Sequence, residues 1–335
     1  MTPAEESDLE YILEICVYEI LNLHLHTMVW RTMDKMNQVL IPNVDKDERI
    51  GSSFNHLFQV INETQKTNCD KVIWDFGECS FLHPFFLAPL GIYKKQCGKE
   101  ITLKNVSPNL RSYFNSVSFE VPKGITSVKE LEDLRIDYQH KSYIPICSVA
   151  NHETNLDKVQ TVIQSIIEQQ SDADARIKTP LSYFLGELFC NIEQHSDSKI
   201  AYVFAQTLPK DGLINLCIAD EGITIYGSYV KTGRYLETIG NSHALALDLA
   251  KDGHSTKDLP ETENRGYGIS STRKMLVEGL VGSFFIYSGK AFYRHTRQEE
   301  RTVELPDVFN WKGTIIFMKV PTTVPKEFDY TKYIY

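Results

Sequence analysis

The strongest constraint on this chain is the run Glu187-Leu188-Phe189-Cys190-Asn191-Ile192-Glu193-Gln194-His195-Ser196. Asp220-Glu221-Gly222 follows it, and then Arg265-Gly266-Tyr267-Gly268-Ile269. Glu187 and Asn191 are four residues apart, which puts a carboxylate and an amide on one face of a helix. Two glycine-bearing turns follow, the first after a strand-like segment and the second before a helix-like one. That order suits a site holding a Mg-nucleotide between a helix and a flexible glycine lid.

The chain has 335 residues, enough for two domains with separate cores. A net charge of -9 argues against a nucleic-acid binder, which needs Lys and Arg to neutralise phosphates. The seven cysteines are scattered, with no Cys-x-x-Cys pair. They read as idle or buried thiols in a reducing compartment, not as a disulfide framework or zinc site. His24 and His26 lie two apart but have no Cys or carboxylate companion to make a metal site. The start of the chain is acidic (Glu5, Glu6, Asp8, Glu10), unlike a signal peptide. The apolar run Phe81 to Tyr93 is interrupted by His83, Pro84 and Pro89 and is too short to span a bilayer. A cytoplasmic chain without a membrane partner is expected.

Strand-like and helix-like segments alternate. Residues Ser7 to Met33 open with helical spacing (Ile12, Ile15, Cys16) and read either as packing on the first domain or as a homodimer interface. Val39 to Val44 is strand-like, Ser53 to Glu63 helical, Lys71 to Phe76 a buried strand, Phe85 to Lys95 helical and Ile101 to Leu103 a short strand. Ser107-Pro108 opens a further helix. Residues Val121 to Lys141 are polar and read as connective. Beyond them come a strand (Ser142 to Val149) and helices over Leu156 to Gln169 and Thr179 to His195. Strands follow near Lys199–Gln206 and Leu213–Ala219, then a helix near Ser270–Glu278. The last strands are near Gly282–Ser288, Phe292–Thr296 and Thr314–Val320. His152 reads as an ordinary loop or helix-start histidine.

With its downstream glycine turns, the Glu-x-x-x-Asn-x-x-x-His run resembles the GHKL ATPase family, and within it the anti-sigma-factor serine kinases. The resemblance covers about the C-terminal half. It implies a Bergerat-fold ATP-binding α/β sandwich over residues 142–325, with ATP and Mg²⁺ as cofactors. The earlier strand-helix alternation, with Asp75, Ser80-Phe81-Leu82 and Asn105-Val106-Ser107-Pro108, resembles a STAS domain. That implies a STAS-like domain within residues 1–135. The family's Asp-Ser-Ser-Gly is replaced here by His83-Pro84-Phe85-Phe86, and Phe85 cannot accept a phosphate.

By the first resemblance, Asn191 holds Mg²⁺, Glu187 acts as the base, and Asp220 accepts from the adenine amine. Gly222 then lets the backbone approach the base. Arg265, Gly266, Gly268 and Ile269 form the second glycine box. Thr314, in Trp311-Lys312-Gly313-Thr314, lies beside Asp220. Residues 226–264 form the lid, with Lys257 as a phosphate contact and Ala244 to Ala250 as a short helix within it. His195 is structural or a phosphate-side neighbour. Thr224 stands where a second glycine is usual; since Thr tolerates positive φ poorly, a reshaped turn and lowered affinity are expected. The implied activity is phosphoryl transfer from ATP to a protein Ser or Thr, as in a protein kinase of partner-switching signalling, or to water. The implied partner is a STAS-type or sigma-factor-like regulator. The alternative is a non-enzymatic nucleotide-gated scaffold.

Overall fold

The computed structural model describes residues 37–44, 50–150, 153–171, 173–256 and 267–334. The segment Ser7 to Met33, the pair His24 and His26, and His152 lie outside the described residues. The chain is a mixed α/β protein with two compact units. The first comprises Met1–Phe86 and Cys97–Arg111, the second Leu87–Gln96 and Ser112–Tyr335.

In chain order the first elements are β1 (Gln38–Leu40), α1 (Ile50–Lys66), β2 (Lys71–Asp75), α2 (Pro84–Gln96), β3 (Glu100–Lys104) and α3 (Pro108–Ser116). Strands β1, β2 and β3 form a parallel sheet in that order. Its core includes Val39, Phe54, Leu57, Val72 and Trp74, all buried. The one polar atom of Trp74, its indole N–H, donates to Thr64 Oγ1 at 3.0 Å, as a buried polar group requires. At the end of β2, Asp75 Oδ1 accepts from Gly77 N (2.9 Å) and Asn105 Nδ2 (2.8 Å), so the carboxylate ties the β2 and β3 ends together. His83 caps α2: its Nδ1 accepts from Phe85 N at 3.1 Å, while Phe85 and Phe86 are buried.

The second unit continues with β4 (Lys123–Ile125), α4 (Val128–Tyr138), β5 (Tyr143–Ala150), α5 (Glu153–Gln170), α6 (Lys178–His195), β6 (Ile200–Leu208) and β7 (Leu213–Asp220). Helices α7 (Ile225–Thr232), α8 (Leu236–Ile239) and α9 (His243–Lys251) follow, then α10 (Tyr267–Lys274), which runs into a π-helical turn Met275–Gly279. Strands β8 (Ser283–Gly289), β9 (Ala291–His295), β10 (Glu300–Glu304) and β11 (Trp311–Pro321) complete it. The eight strands form one sheet in the order β10-β9-β8-β11-β7-β6-β5-β4. Only the β4–β5 pairing is parallel.

One sheet face, with Val203, Ile214, Leu216, Ile218, Ile286, Ile316 and Met318, packs on helices through Leu131, Leu134, Ile163, Ile166, Leu181, Phe184, Leu185, Leu188 and Ile192. The α6 members of that set recur every three or four residues, so the helix turns one stripe to the sheet and leaves the other for chemistry. The opposite sheet face is apolar as well: Tyr202, Phe204, Cys217, Phe285, Tyr287 and Phe317 are all buried. Burial pushes the Cys147 thiol up to about 12 and the Cys217 thiol well above its ordinary value, so neither is a thiolate at neutral pH.

The polar stretch Val121 to Lys141 is not connective. It holds β4, which pairs with β5, and helix α4. Only Leu131, Leu134 and Tyr138 are buried on α4, too few for a conspicuous apolar period. Its start is nonetheless encoded by a capping box: Ser127 Oγ accepts from Glu130 N, and Glu130 accepts from Ser127 N at 3.0 Å. Ser127→Ala is expected to cost about 1 kcal/mol, read as faster amide hydrogen exchange in α4; unchanged exchange would mean that packing alone holds the helix.

Candidate functional site

The described cavity of interest lies in the second unit between α6 and the sheet, with a volume of about 130 Å³. A single ordered water needs only about 10–15 Å³ by this measure, so the space suits a larger guest. Helix α6 contributes Glu187, Asn191 and His195 at four-residue spacing, on one face. Strand β7 contributes Ile218 and Asp220, and β11 contributes Thr314 and Ile316. Gly268 and Ile269 come from the first turn of α10. Six of the sequence-derived site residues thus share one cavity: Glu187, Asn191, Asp220, Gly268, Ile269 and Thr314. Lys257, Arg265 and Gly266 lie outside the described residues.

The first and third motifs meet directly. A Cβ added to Gly268 would lie 2.3 Å from Glu187 Oε2 and 3.7 Å from Asn191 Nδ2. Glu187 is also hydrogen-bonded by the Tyr183 hydroxyl, which in turn bonds Ser271 on α10. Asn191 Nδ2 is buried without a hydrogen-bond partner among the described residues. Such an orphan is costly and calls for an explanation at the site.

Asp220 closes β7 and is 3% exposed. Its Oδ1 accepts from Gly222 N at 2.8 Å, and the Thr314 backbone N–H is a second donor. Burial raises its pKa from 3.8 to about 7; these two donors lower it, too weakly to reverse that effect, and the Glu221 charge adds to the rise. Gly313 leaves no room for a side chain, because a Cβ there would lie 2.3 Å from Asp220 O. It also sits at φ 77°, where glycine is favoured. Thr314 is fixed by Ser288, whose Oγ lies 2.9 Å from Thr314 Oγ1 and accepts from Ile225 N at 2.9 Å.

Gly222 does not border the cavity. It is needed where two turns cross: its Cβ would fall 1.8 Å from Ser196 O and 2.9 Å from Ser198 N. The turns are stitched by Ile223 N donating to Ser196 O (2.6 Å) and Glu221 N donating to Ser198 Oγ (3.2 Å). This crossing sets the end of α6 against the end of β7, and so Asn191 relative to Asp220.

The expected distortion at Thr224 is absent. Its φ is -72° and ψ 168°, and its Oγ1 accepts from Gly227 N at 2.9 Å as the N-cap of α7. A hydroxyl residue is favoured at that position. The stretch 226–256 is mostly helix; the short helix expected over Ala244 to Ala250 is α9 (His243–Lys251), and Lys251, read as opening a loop-like segment, ends that helix. Helices α7 to α9 share a small core of Tyr229, Ile239 and Ala246. At its far side Thr256 Oγ1 lies 2.9 Å from both Ser228 Oγ and His195 Nδ1, joining this helical cover to α6.

Helix α9 is held to β10 at both ends. Glu304 accepts from Ser242 Oγ (2.8 Å) and Ala244 N (2.6 Å), a carboxylate at a helix start. Thr302 donates to Asp248. Arg273, 5% exposed, donates to Glu300 (3.0 Å), Asp252 (3.3 Å) and the Lys251 carbonyl (3.2 Å). Tyr293 OH also donates to Glu300 at 2.9 Å.

Sequence reading missed Tyr183, Ser198 and Ser288, and gave Ser196 no role beyond the helix end. For Tyr183 a signal existed: it lies one turn before Glu187 on the same helix face. For the serines none did, since their partners are distant in the chain. Among family models and curated proteins, nothing matches the chain. Fold and site define it as an α/β protein whose second unit carries a polar-ended cavity between a helix and a sheet.

Proposed function

We propose that the second unit is an ATP-binding module of the GHKL type, with a Bergerat-like layout, acting in ATP-dependent phosphoryl transfer. One observation carries this reading: Glu187, Asn191, Asp220, Gly268, Ile269 and Thr314, from α6, β7, α10 and β11, converge on one cavity. Ile218, Ile223, Ile225 and Ile316 offer apolar surface for a flat base, next to the Asp220 carboxylate. Gly268, whose missing side chain lets the Glu187 carboxylate approach, would face the phosphates from α10.

The residues present fit Mg²⁺ bound mainly through phosphate. No group of three His, Cys, Asp or Glu side chains able to hold a metal occurs among the described residues. Mg²⁺ is commonly held by few protein groups plus substrate phosphates and water. Asn191, through its side-chain carbonyl oxygen, is the residue that would hold it; it borders the cavity. Mg-ATP, when bound, supplies the transferable phosphoryl group. Glu187, oriented by Tyr183, takes the proton of an attacking hydroxyl or water.

The first unit is read as a STAS-like module without phosphoacceptor chemistry. Phe85 and Phe86 occupy the family's acceptor region and are core residues, and His83 serves as a helix cap. Such a chain would act by partner switching on a regulator that carries its own Ser or Thr.

Calorimetric titration of ATP with Mg²⁺ tests the reading. Asn191→Ala is expected to weaken binding about tenfold or more, as for a bond to a charged group. Absence of binding to the intact protein would overturn the nucleotide site. Glu187→Ala should abolish turnover while nucleotide still binds. If the intact protein binds but never turns over, with or without protein substrate, the scaffold reading takes its place.

A further inference from the structure

Strand β10 ends the sheet, and among the described residues no strand pairs with its outer edge. Its ladder with β9 fixes which groups that edge presents. Thr296 and Glu299 exchange both backbone bonds in the turn, and Leu305 N donates to Lys290 O at 2.6 Å beyond the other end. Bonded and unbonded pairs alternate along an antiparallel ladder. Glu300, Thr302 and Glu304, opposite His295, Tyr293 and Ala291, therefore fall at unbonded pairs, and their N–H and C=O groups point outward. The side chains divide by charge. Glu300, Thr302 and Glu304 turn theirs to the helix face, where Arg273, Asp248 and the start of α9 engage them. Arg301 and Val303 therefore lie on the opposite face. There Arg301 stands directly across from Arg294, and Val303 across from Phe292. Like charges facing one another across a ladder repel. Glu299 pairs with Arg294, but half-buried Arg301 makes no hydrogen bond or ion pair among the described residues. Charges on an edge strand ordinarily turn other strands away. Here the acids are engaged within the chain, and an unanswered arginine is left beside an open edge, which selects a strand of opposite charge.

We propose that the outer edge of β10 takes up an extended acidic segment of a protein partner as an added strand, with an acidic side chain opposite Arg301. Side chains two apart on such a strand share a face. The position facing Val303 thus lies two residues from the acid and takes an apolar side chain. Backbone groups supply the affinity, and the alternating side chains supply the choice of partner. A nucleic acid would meet the arginine but has no peptide groups for the edge, and a net charge of -9 opposes it. Docking at β10 is independent of the nucleotide reading.

The probe is a fluorescein-labelled peptide, Thr-Glu-Thr-Val repeated twice, titrated into the full-length chain at low salt and followed by anisotropy. Wild type is expected to bind it saturably. Arg301→Glu turns an attraction into a repulsion and is expected to weaken binding about tenfold; Arg301→Gln, which only removes the charge, about threefold. Both are checked for native circular dichroism. Lys210→Glu makes the same change of charge as Arg301→Glu at an exposed turn, and should stay within about twofold of wild type. A peptide with proline in place of every threonine keeps the charge but loses those N–H donors, and is expected not to bind. Deuterium exchange of the β10 amides should slow when the threonine peptide is bound. The added strand is overturned by any of four results: no saturable binding, equal binding to both Arg301 variants and wild type, equal binding of the proline peptide, or unchanged exchange in β10. An oligothymidylate that binds more tightly than the peptide, and is weakened by Arg301→Glu, would overturn the protein partner in favour of a polyanion.

Discussion

Gly222→Ala is expected to be the most damaging small substitution in the second unit. The added methyl would lie 1.8 Å from the Ser196 carbonyl oxygen and 2.6 Å from its carbon. These are backbone atoms at the end of α6, anchored by Ser196 N donating to Ile192 O at 3.2 Å, so no side-chain rotation relieves the clash. The turn carrying residue 222 must separate from α6, losing the 2.6 Å bond from Ile223 N. Overpacking ordinarily costs about 1–3 kcal/mol, and a backbone clash belongs at or above the top of that range. For a unit of this size a cost of about 3 kcal/mol lowers the thermal midpoint by roughly 6–12 °C. Gly124→Ala is the control: a Cβ there meets nothing within 4 Å, and the midpoint should barely move. Equal midpoints for the two variants would show that the turns separate freely. Because the crossing spaces Asn191 from Asp220, Gly222→Ala should also lose nucleotide binding below its midpoint.

Asp220→Asn is expected to stabilise the protein in alkali and to leave its stability unchanged in acid. The folded carboxyl titrates at about 7 and the unfolded one at 3.8. Between these values the folded chain holds a proton that the unfolded chain has released. Stability then falls as pH rises through the window, and levels off above it. The shift corresponds to at most about 4 kcal/mol at pH 8. The neutral amide has no such slope, less whatever its own Nδ2 costs. Thermal unfolding of both proteins from pH 4 to 8 checks this. Parallel curves would mean that Asp220 is ionised in the fold at ordinary pH. The nucleotide reading adds a second signature. An adenine amine donating to ionised Asp220 favours the charged form, so ATP binding near pH 6.5 should release a proton into buffer.

Several elements were legible because their cause is local. The stripe Leu181, Phe184, Leu185, Leu188 and Ile192 marks α6 and at once sets Glu187, Asn191 and His195 on its other side. Helix α4 was misread because its apolar side is thin, although Ser127 and Glu130 announce its start. Strand β10 (Glu-Arg-Thr-Val-Glu) looks like loop because it lies at the sheet edge, where charged residues discourage pairing with other chains. Thr224 was weighed as a defective glycine, yet a hydroxyl before a helix is a cap. The packing at Gly222 was out of reach. It depends on Ser196, and only the folded chain brings the two together.

The clasp between α9 and β10 has a mechanical consequence. Glu304 grips the front of α9, Thr302 reaches its middle through Asp248, and Glu300 with Arg273 secures its end. Ala250, near that end, is cavity wall. Among the described residues, the edge strand β10 and one wall of the cavity are thereby tied together by a row of side-chain hydrogen bonds.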